Sequence, residues 1–391
     1  MSNCSIFLYF HTLFCEKLHR QPGCIGLYFR QIFKIYKPET EMIGERVKRA
    51  RAAAGLSMQA LAEQIGVSAN MVKKYEHDIS MPSSPVLLKL AKALSVRTEY
   101  FFRTAKVSLG EVEYRKKSTT PKKVLKRIEA DIVDQAERWF ELSQLWPDFP
   151  IPDFKFPAKI PEINSLDDIE KVAELVRKKW QLGLNPLSDL IDLLESKGIL
   201  VIVSQEEHSD KFDGLQASIN NQPVIVISAH WPGCRQRFTL AHELGHLILH
   251  DILPSDIDEE MVCNRFASAF LLPAIGVMQN LGGQRKNIDP QELYLLKHEY
   301  GLSMQACLYR AADLSVITES KRKQLFMFFS KKGWRKQEPG KAYPQEETHL
   351  FKQLVYRALA EDIISESKAA ELLQISVMEL HKLRLMQLQA A

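Results

Sequence analysis

The chain has 391 residues, 46% of them apolar and 26% charged, with a formal net charge of +4. That is ordinary for a water-soluble protein of two or three domains, and no apolar run approaches the roughly twenty residues a membrane-crossing helix needs. Six cysteines in no regular spacing, three of them among the first 24 residues, point to reduced thiols and a cytoplasmic location.

Residues 1–41 differ from the rest in their Cys, His, Phe and Tyr content. Their apolar patch is broken by His11, and no basic residue precedes Lys17, so they make a poor signal peptide. Residues 42–103 then read as a run of short helices. Ile43, Val47 and Ala50 pattern the first; Ser57 caps a second containing Leu61, Ala62 and Ile65. Gly66 breaks that run, and Ser68 caps a third helix with Val72 and Tyr75 pointing inward. Pro82 and Pro85 precede a fourth apolar run, residues 86–94.

Short helices with a Gly turn between the second and third are the arithmetic of a helix-turn-helix. The whole segment resembles the XRE-type, Cro-like DNA-binding domain. The resemblance implies that the third helix enters the major groove of double-stranded DNA, with Ser68, Ala69, Asn70, Lys73 and Lys74 at the contact. Asn70 is placed to read a base edge, Lys73 and Lys74 to neutralise phosphates. Met58 stands where many relatives carry a glutamine that touches DNA. Dimers on DNA are a further expectation of the family. A small helical domain used for dimerisation is the alternative reading. Met42 falls where such a domain begins, so translation is expected to start there, residues 1–41 being non-coding sequence read through or a genuine extension.

Charge follows the same division. Residues 42–103 hold ten Lys/Arg against five acids and residues 104–127 eight against two, which leaves the remainder acidic. A basic front on an acidic body is the footprint of a module that meets phosphate. The cluster Arg115 to Lys117 with Lys122 and Lys123 extends that contact or belongs to a solvated linker.

Residues 122–145 are predicted as one amphipathic helix, with Val124, Ile128, Ile132, Ala136, Phe140 and Leu145 near helical spacing, placed to lie on the body or to pair with a second copy. Residues 146–161 contain five prolines and read as an extended strap. Helices are predicted over 165–182 and 186–197, the second opened by Asn185-Pro186, and strands over 199–203 and 223–228.

The next stretch, Arg237-Phe-Thr-Leu-Ala-His-Glu-Leu-Gly-His246, carries the chemistry. His242 and His246 are four apart, so on a helix they project from one face and can grip one Zn²⁺ through neutral ring nitrogens. Glu243 lies beside them, placed to take a proton from a water held by that metal. A third protein ligand is required, and the acids before and within Glu259 to Pro273 are the candidates: Asp256, Asp258, Glu259 and Glu260. In a helix stopped by Pro273, Glu260 and Asn264 share one face, and Phe266, Ala269 and Phe270 the side toward the first helix.

Together, residues 237–246 and 260–273 resemble the ImmA/IrrE family of zinc metallopeptidases, and the likeness runs through Gly301 to Ala306 and Arg310, covering about 165–315. The resemblance implies Zn²⁺ ligands His242, His246 and Glu260, with Glu243 as the catalytic base and Glu259 a bystander. Asn264 and His250 are then candidates to support the ligands from behind. It further implies an endopeptidase whose protein substrate is a repressor of the XRE kind, or the chain itself, serving stress or mobile-element regulation. Two alternatives stay open: a DNA-binding regulator whose zinc site is structural or sensory, and an antitoxin-like regulator.

Beyond residue 315 helices are predicted over 318–332, 350–359, 367–373 and 376–388, the last two placed either to imitate a second helix-turn-helix or to dock as a bundle. The expected fold is α+β and mostly helical: an extension (1–41), an all-α helix-turn-helix domain (42–103), a helix and Pro-rich linker (104–164), a zincin-like α+β metallopeptidase domain (165–315) and a helical C-terminal region (316–391). No membrane is expected among its partners.

Overall fold

The computed structural model describes residues 43–103, 122–155, 160–205, 214–254 and 257–386. Residues 1–42, the cluster Arg115 to Lys117 and Asp256 lie outside the described residues.

Four helices, α1 (Ile43–Ala53), α2 (Met58–Ile65), α3 (Ala69–Glu76) and α4 (Ser84–Ala93), precede a 3₁₀ turn at Thr98–Phe102. The caps act where the sequence places them. Ser57 accepts a hydrogen bond from the Ala60 amide, Ser68 from that of Met71, and Gly66 takes the left-handed conformation (φ 75°) that ends α2. Ile43, Val47, Leu61, Ile65, Val72, Leu90 and Phe101 form the core of this module. Arg51 pairs with Glu76 and so ties α1 to the end of α3.

Helix α5 (Lys122–Leu145) buries Val124, Ile128, Ile132 and Ala136 against the body, while Leu145 at its end is exposed. On its other side it holds the first module: Arg46 bonds Glu137 at 2.6 Å, Arg49 the same carboxylate at 3.2 Å, and Arg103 bonds Asp134 at 2.7 Å. Pairing through a second copy is therefore not what covers this stripe.

Helix α6 (Leu166–Lys179) follows, then α7 (Leu190–Ser196). The latter begins four residues later than Asn185-Pro186 suggests. Arg177 draws the Gly183 and Asn185 carbonyls to itself at 2.9 and 2.6 Å, and Asp189 caps the helix by accepting from the Asp192 amide. Tertiary bonds thus override the local Asn-Pro start signal.

Three strands, β1 (Leu200–Ser204), β2 (Gly214–Ile219) and β3 (Gln222–Ser228), form a sheet in the order β1-β3-β2, with β1 parallel and β2 antiparallel to β3. Both faces are covered, which explains the unbroken apolar runs of β1 and β3. Val201, Ile225 and Ile227 face the main core; Leu200, Ile202, Val224 and Val226 face α5 and the C-terminal helices.

Helices α8 (Gly233–Leu249) and α9 (Glu259–Leu271) are joined through a 3₁₀ turn at His250–Ile252. They are followed by α10 (Ala274–Leu281), α11 (Pro290–Tyr300), α12 (Met304–Asp313) and α13 (Glu319–Lys331). Fully buried Arg310 on α12 pairs with Glu170 on α6 and bonds the Leu272 carbonyl at 2.9 Å, locking three helices together. The tail, α14 (Leu350–Ala360), α15 (Glu366–Leu372) and α16 (Val377–Arg384), packs Leu354, Val355, Ala369, Leu372 and Leu380 into the core on the second face of the sheet. The last two helices therefore dock as a bundle. Packing crosses the divisions expected at 164 and 315, because α5 and the tail share one core beneath the sheet.

Among the described residues no single helix is long and apolar enough to cross a membrane. The architecture is the expected α+β, mostly helical class, a helix-turn-helix followed by a helical body around a small sheet.

Candidate metal centre

Helix α8 runs between the sheet and α9. Leu240, Ala241, Leu244 and Ile248 face the core, and Gly245 faces α9. A Cβ on Gly245 would come within 3.1 Å of the Phe266 ring and 3.4 Å of Cys263 Cα, so glycine lets the two helices close without displacing either.

That close approach brings two stripes of α9 onto the histidines of α8. Nε2 of His242 and Nε2 of His246 lie 3.0 Å apart. The Glu260 carboxylate sits 3.4 Å from the first and 3.7 Å from the second, so the three expected ligands converge. A tetrahedral zinc with donors at about 2.0–2.1 Å sets neighbouring donors about 3.3 Å apart, which the distances bracket.

On the outer side His242 Nδ1 is 3.1 Å from Asn264 Oδ1, and His246 Nδ1 is 2.7 Å from Glu259 Oε1 with Cys263 Sγ at 2.9 Å, His246, Glu259 and Cys263 forming a second group whose donor atoms could hold a metal. With the protons on the two Nδ1 atoms, facing these acceptors, both Nε2 atoms turn lone pairs inward. Two imidazole lone pairs and a carboxylate thus point at one another, an arrangement that calls for a cation.

Glu259, expected from the resemblance to stand aside, lies in contact with His246 as Asn264 does with His242. Residues 259 and 263 lie one turn apart, as do 260 and 264, and each pair of positions serves one side of the cluster. Cys263 is the residue the motif reading missed; its place one turn after Glu259 was the available signal. His250 lies past the end of α8 and reaches Glu259 at 3.2 Å. Asp258 is engaged as the cap of α9, accepting from the Met261 amide.

Glu243 is buried, 4% exposed, whereas the Glu260 side chain is 62% exposed. Space beside Glu243 is preserved by Gly214 at the start of β2, where a Cβ would stand 3.7 Å from Oε1 and 2.6 Å from the Thr239 methyl.

In the first module Asn70, Lys73 and Lys74 line the exposed side of α3. Ser68 is exposed but spends its hydroxyl on the cap, and Ala69 packs partly into the module core. Met58 is partly buried against that core as well.

Comparison with known proteins gives two matches within the chain. The model described as the IrrE N-terminal-like domain, Peptidase_M78, matches residues 194–312, and a helix-turn-helix model matches residues 47–101. An uncharacterized transcriptional regulator in the ATPase CF(0) region of Rhodospirillum rubrum is 42% identical over 60 residues, 15% of this chain and 56% of that protein. The HTH-type transcriptional regulator ImmR of Bacillus subtilis (strain 168) is 35% identical over 78 residues, 20% of this chain and 56% of that one. The chain thus spans about half the length of the curated relatives it matches. The solved structure of a Mycobacterium tuberculosis transcriptional regulator aligns with 41% of this chain and 50% of its own at a TM-score of 0.29 and 17% identity, too slight a likeness to carry an argument. Two family models thus match successive parts of the chain, a helix-turn-helix of the XRE type at residues 47–101 and the Peptidase_M78, IrrE N-terminal-like domain at residues 194–312.

Proposed function

We propose that this protein is a DNA-binding transcriptional regulator carrying its own zinc-dependent endopeptidase, which cleaves a repressor-type protein or the chain itself. The observation that carries the reading is the convergence of His242 Nε2, His246 Nε2 and the Glu260 carboxylate, with buried Glu243 next to them in sequence. Zinc bound there would polarise a peptide carbonyl and make a water acidic enough to lose a proton near neutral pH. Glu243 accepts that proton and passes it to the leaving amine as the C–N bond breaks and the C–O bond forms. Asn264 and Glu259 favour the tautomer of each imidazole that turns the Nε2 lone pair toward the metal position.

The exposed edge of α3 supports the DNA half. Asn70 is placed for a base edge, and Lys73 and Lys74 for phosphates, on double-stranded DNA bound by a dimer. Replacing either lysine by Ala should weaken binding across all sequences and lower the salt slope by about one.

The deciding experiment measures zinc in the purified protein and incubates it with candidate XRE-like repressors, comparing wild type with Glu243→Gln. Zinc in both and cleavage only by wild type is expected. Equal cleavage by the variant removes Glu243 from its role. Zinc in both with cleavage by neither favours the structural or sensory alternative, in which no base is needed.

A further inference from the structure

The body that follows the helix-turn-helix and its basic linker is acidic, residues 128–391 holding 29 Lys and Arg against 38 Asp and Glu. A cleft in it has the opposite sign. With a volume of about 850 Å³, it is walled by α8, α9 and α12 and by residues 335–343, which follow α13. Its two acids are both engaged by bases of the same wall: Asp313 accepts from Arg265 at 2.9 Å, and Glu338 meets buried Lys297 at 3.0 Å. Arg235, Arg335 and Lys336 line it too, so the wall carries an excess of three positive charges. Arg335 and Lys336 are exposed, and among the described residues no acid pairs with either. Positive charge gathered in a concave wall focuses the field there and draws an anion in, against an acidic surround.

Rings accompany the charges. The Arg335 guanidinium lies 4.7 Å from the centre of the Phe326 ring and that of Arg235 3.4 Å from the centre of Trp231, so each cation rests on an aromatic face. Trp231, Tyr343 and partly buried Phe238 line the cleft, as does Tyr309, which is 42% exposed. Tyr309 meets Phe326 edge to face with ring centres 5.8 Å apart, which steadies the aromatic group behind Arg335. A bare phosphate needs charge alone. A flat heterocycle needs more, and guanidinium groups and phenol rings are the surfaces on which a base stacks.

We propose that this cleft binds a nucleoside di- or triphosphate, its phosphates on Arg335, Lys336 and Arg235 and its base against the Tyr309 ring. A chain of two or three phosphates matches the excess charge of the wall, as a single phosphate does not. A cleft of this volume encloses a ligand of that size. Such binding needs neither metal nor peptide cleavage, and so goes beyond the peptidase reading. Its place gives it a regulatory use, because α8 and α9 carry His242 and Glu260 as well as the cleft wall.

The test follows the anisotropy of N-methylanthraniloyl-ADP with the full-length protein, displaced by unlabelled ADP, GTP, adenosine and inorganic pyrophosphate. ADP and GTP should displace the probe at least about tenfold better than adenosine or pyrophosphate, since only they bring both ring and charge. Arg335→Glu together with Lys336→Glu should weaken the probe by at least about thirtyfold and flatten its salt dependence, and Tyr309→Ala should weaken it severalfold. Thermal melts followed by circular dichroism establish that each variant is folded, and Lys336→Glu alone, at an exposed position, should still cost about fivefold if the double variant is unstable. Lys73→Ala with Lys74→Ala in α3, and a chelator that strips metal, should each leave the affinity within about twofold, which separates the cleft from the DNA-binding helix and the metal centre. No binding, pyrophosphate equal to ADP, or affinity unchanged in the charge-reversed variants overturns the proposal. A thymidine decamer or a Glu-rich heptapeptide that displaces the probe at least about tenfold better than ADP gives the cleft to a nucleic-acid strand or an acidic protein segment, and overturns it equally. Failure here leaves the peptidase reading untouched, since zinc content and cleavage with Glu243→Gln decide that separately.

Discussion

Arg237 and His246 stand nine residues apart on one helix and both are fully buried, yet they satisfy their polar atoms in opposite ways. Arg237 pairs with Glu346, bonds the Leu187 carbonyl at 2.7 Å and lies over the Tyr343 ring. Glu346 in turn accepts from the Leu190 amide at 2.7 Å and that of Ile191 at 3.3 Å, so the cluster faces donors with acceptors, Arg237 Nε alone among its guanidinium nitrogens making no hydrogen bond. At His246 the outer Nδ1 meets the Glu259 carboxylate, Asn264 stands likewise against His242, and with those nitrogens protonated the inner side brings acceptors together. A burial that closes on itself builds structure; one that leaves three lone pairs converging is built to be completed by something else.

The largest expected effect tests the closed cluster. Arg237→Ala leaves the Glu346 carboxylate in the interior without its cation, and breaking a buried pair from one side typically costs about 3–5 kcal/mol. Urea unfolding of the zinc-free protein reads this directly. A loss below about 1 kcal/mol would show the strap around residues 343–346 to be loosely held, and the contrast with the histidine cluster would fall. The glycine beneath that strap makes the same point, since a Cβ on Gly233 would stand 1.7 Å from the Pro344 carbonyl oxygen.

Next in size is the open cluster. Zinc at a thousandfold excess over its dissociation constant adds about 4 kcal/mol to the folded state by mass action, and a chelator removes it. His242→Ala should abolish the zinc-dependent gain while melting modestly below wild type in the chelator, because the variant also loses the contacts of His242 with Asn264 and the His246 ring. A zinc-dependent gain that persists in the variant would move the metal away from the three converging donors.

A smaller effect separates Glu259 from Glu260. On the proposed reading Glu260→Gln removes a ligand, whereas Glu259→Gln leaves all three proposed ligands in place and weakens only the contact with His246. Zinc affinity should fall by about 10- to 100-fold for Glu259→Gln, measured by competition with a chromophoric chelator, and by more for Glu260→Gln. An unchanged affinity in Glu259→Gln would restore the bystander role that sequence alone gave it.

The contact between Glu259 and His246 marks where legibility ends. Ser57, Gly66 and Ser68 could be read because a cap depends on three or four consecutive residues. His242 and His246 could be read because helical spacing alone puts them on one face. Which of Glu259 and Glu260 meets the metal side depends on the angle at which α9 docks on α8, and that angle is set by Gly245 against Phe266 and Cys263. Strand β2 escaped notice because Gly-Leu-Gln-Ala-Ser-Ile alternates in burial with small and polar residues that carry little strand propensity, and only its pairing with β3 defines it. Helix α11 had a readable start, since Asp289 and Glu292 form a reciprocal capping box. The Arg237 to Glu346 pair spans 109 positions and leaves no local trace.

A third buried polar side chain, after Arg237 and His246, sharpens the contrast with the least effect. Glu195 on α7 has neither an arginine nor converging metal donors, and its Oε2 makes no hydrogen bond. Burial first, and then the nearby Asp192, push its carboxyl well above the usual range, so it escapes charge by keeping its proton. Between the ordinary carboxylate value and that raised one, the folded protein holds a proton the unfolded chain has lost, and stability must fall as pH rises through this window. Glu195→Gln keeps the shape and removes the titration. The variant should match wild type near pH 4, where both forms are neutral, and melt higher by about 2–4 °C near pH 8. Scanning calorimetry across that range decides it. A difference that is constant with pH would mean that packing, not protonation, governs the position, and Glu195 would then join Glu346 among acids satisfied within the fold.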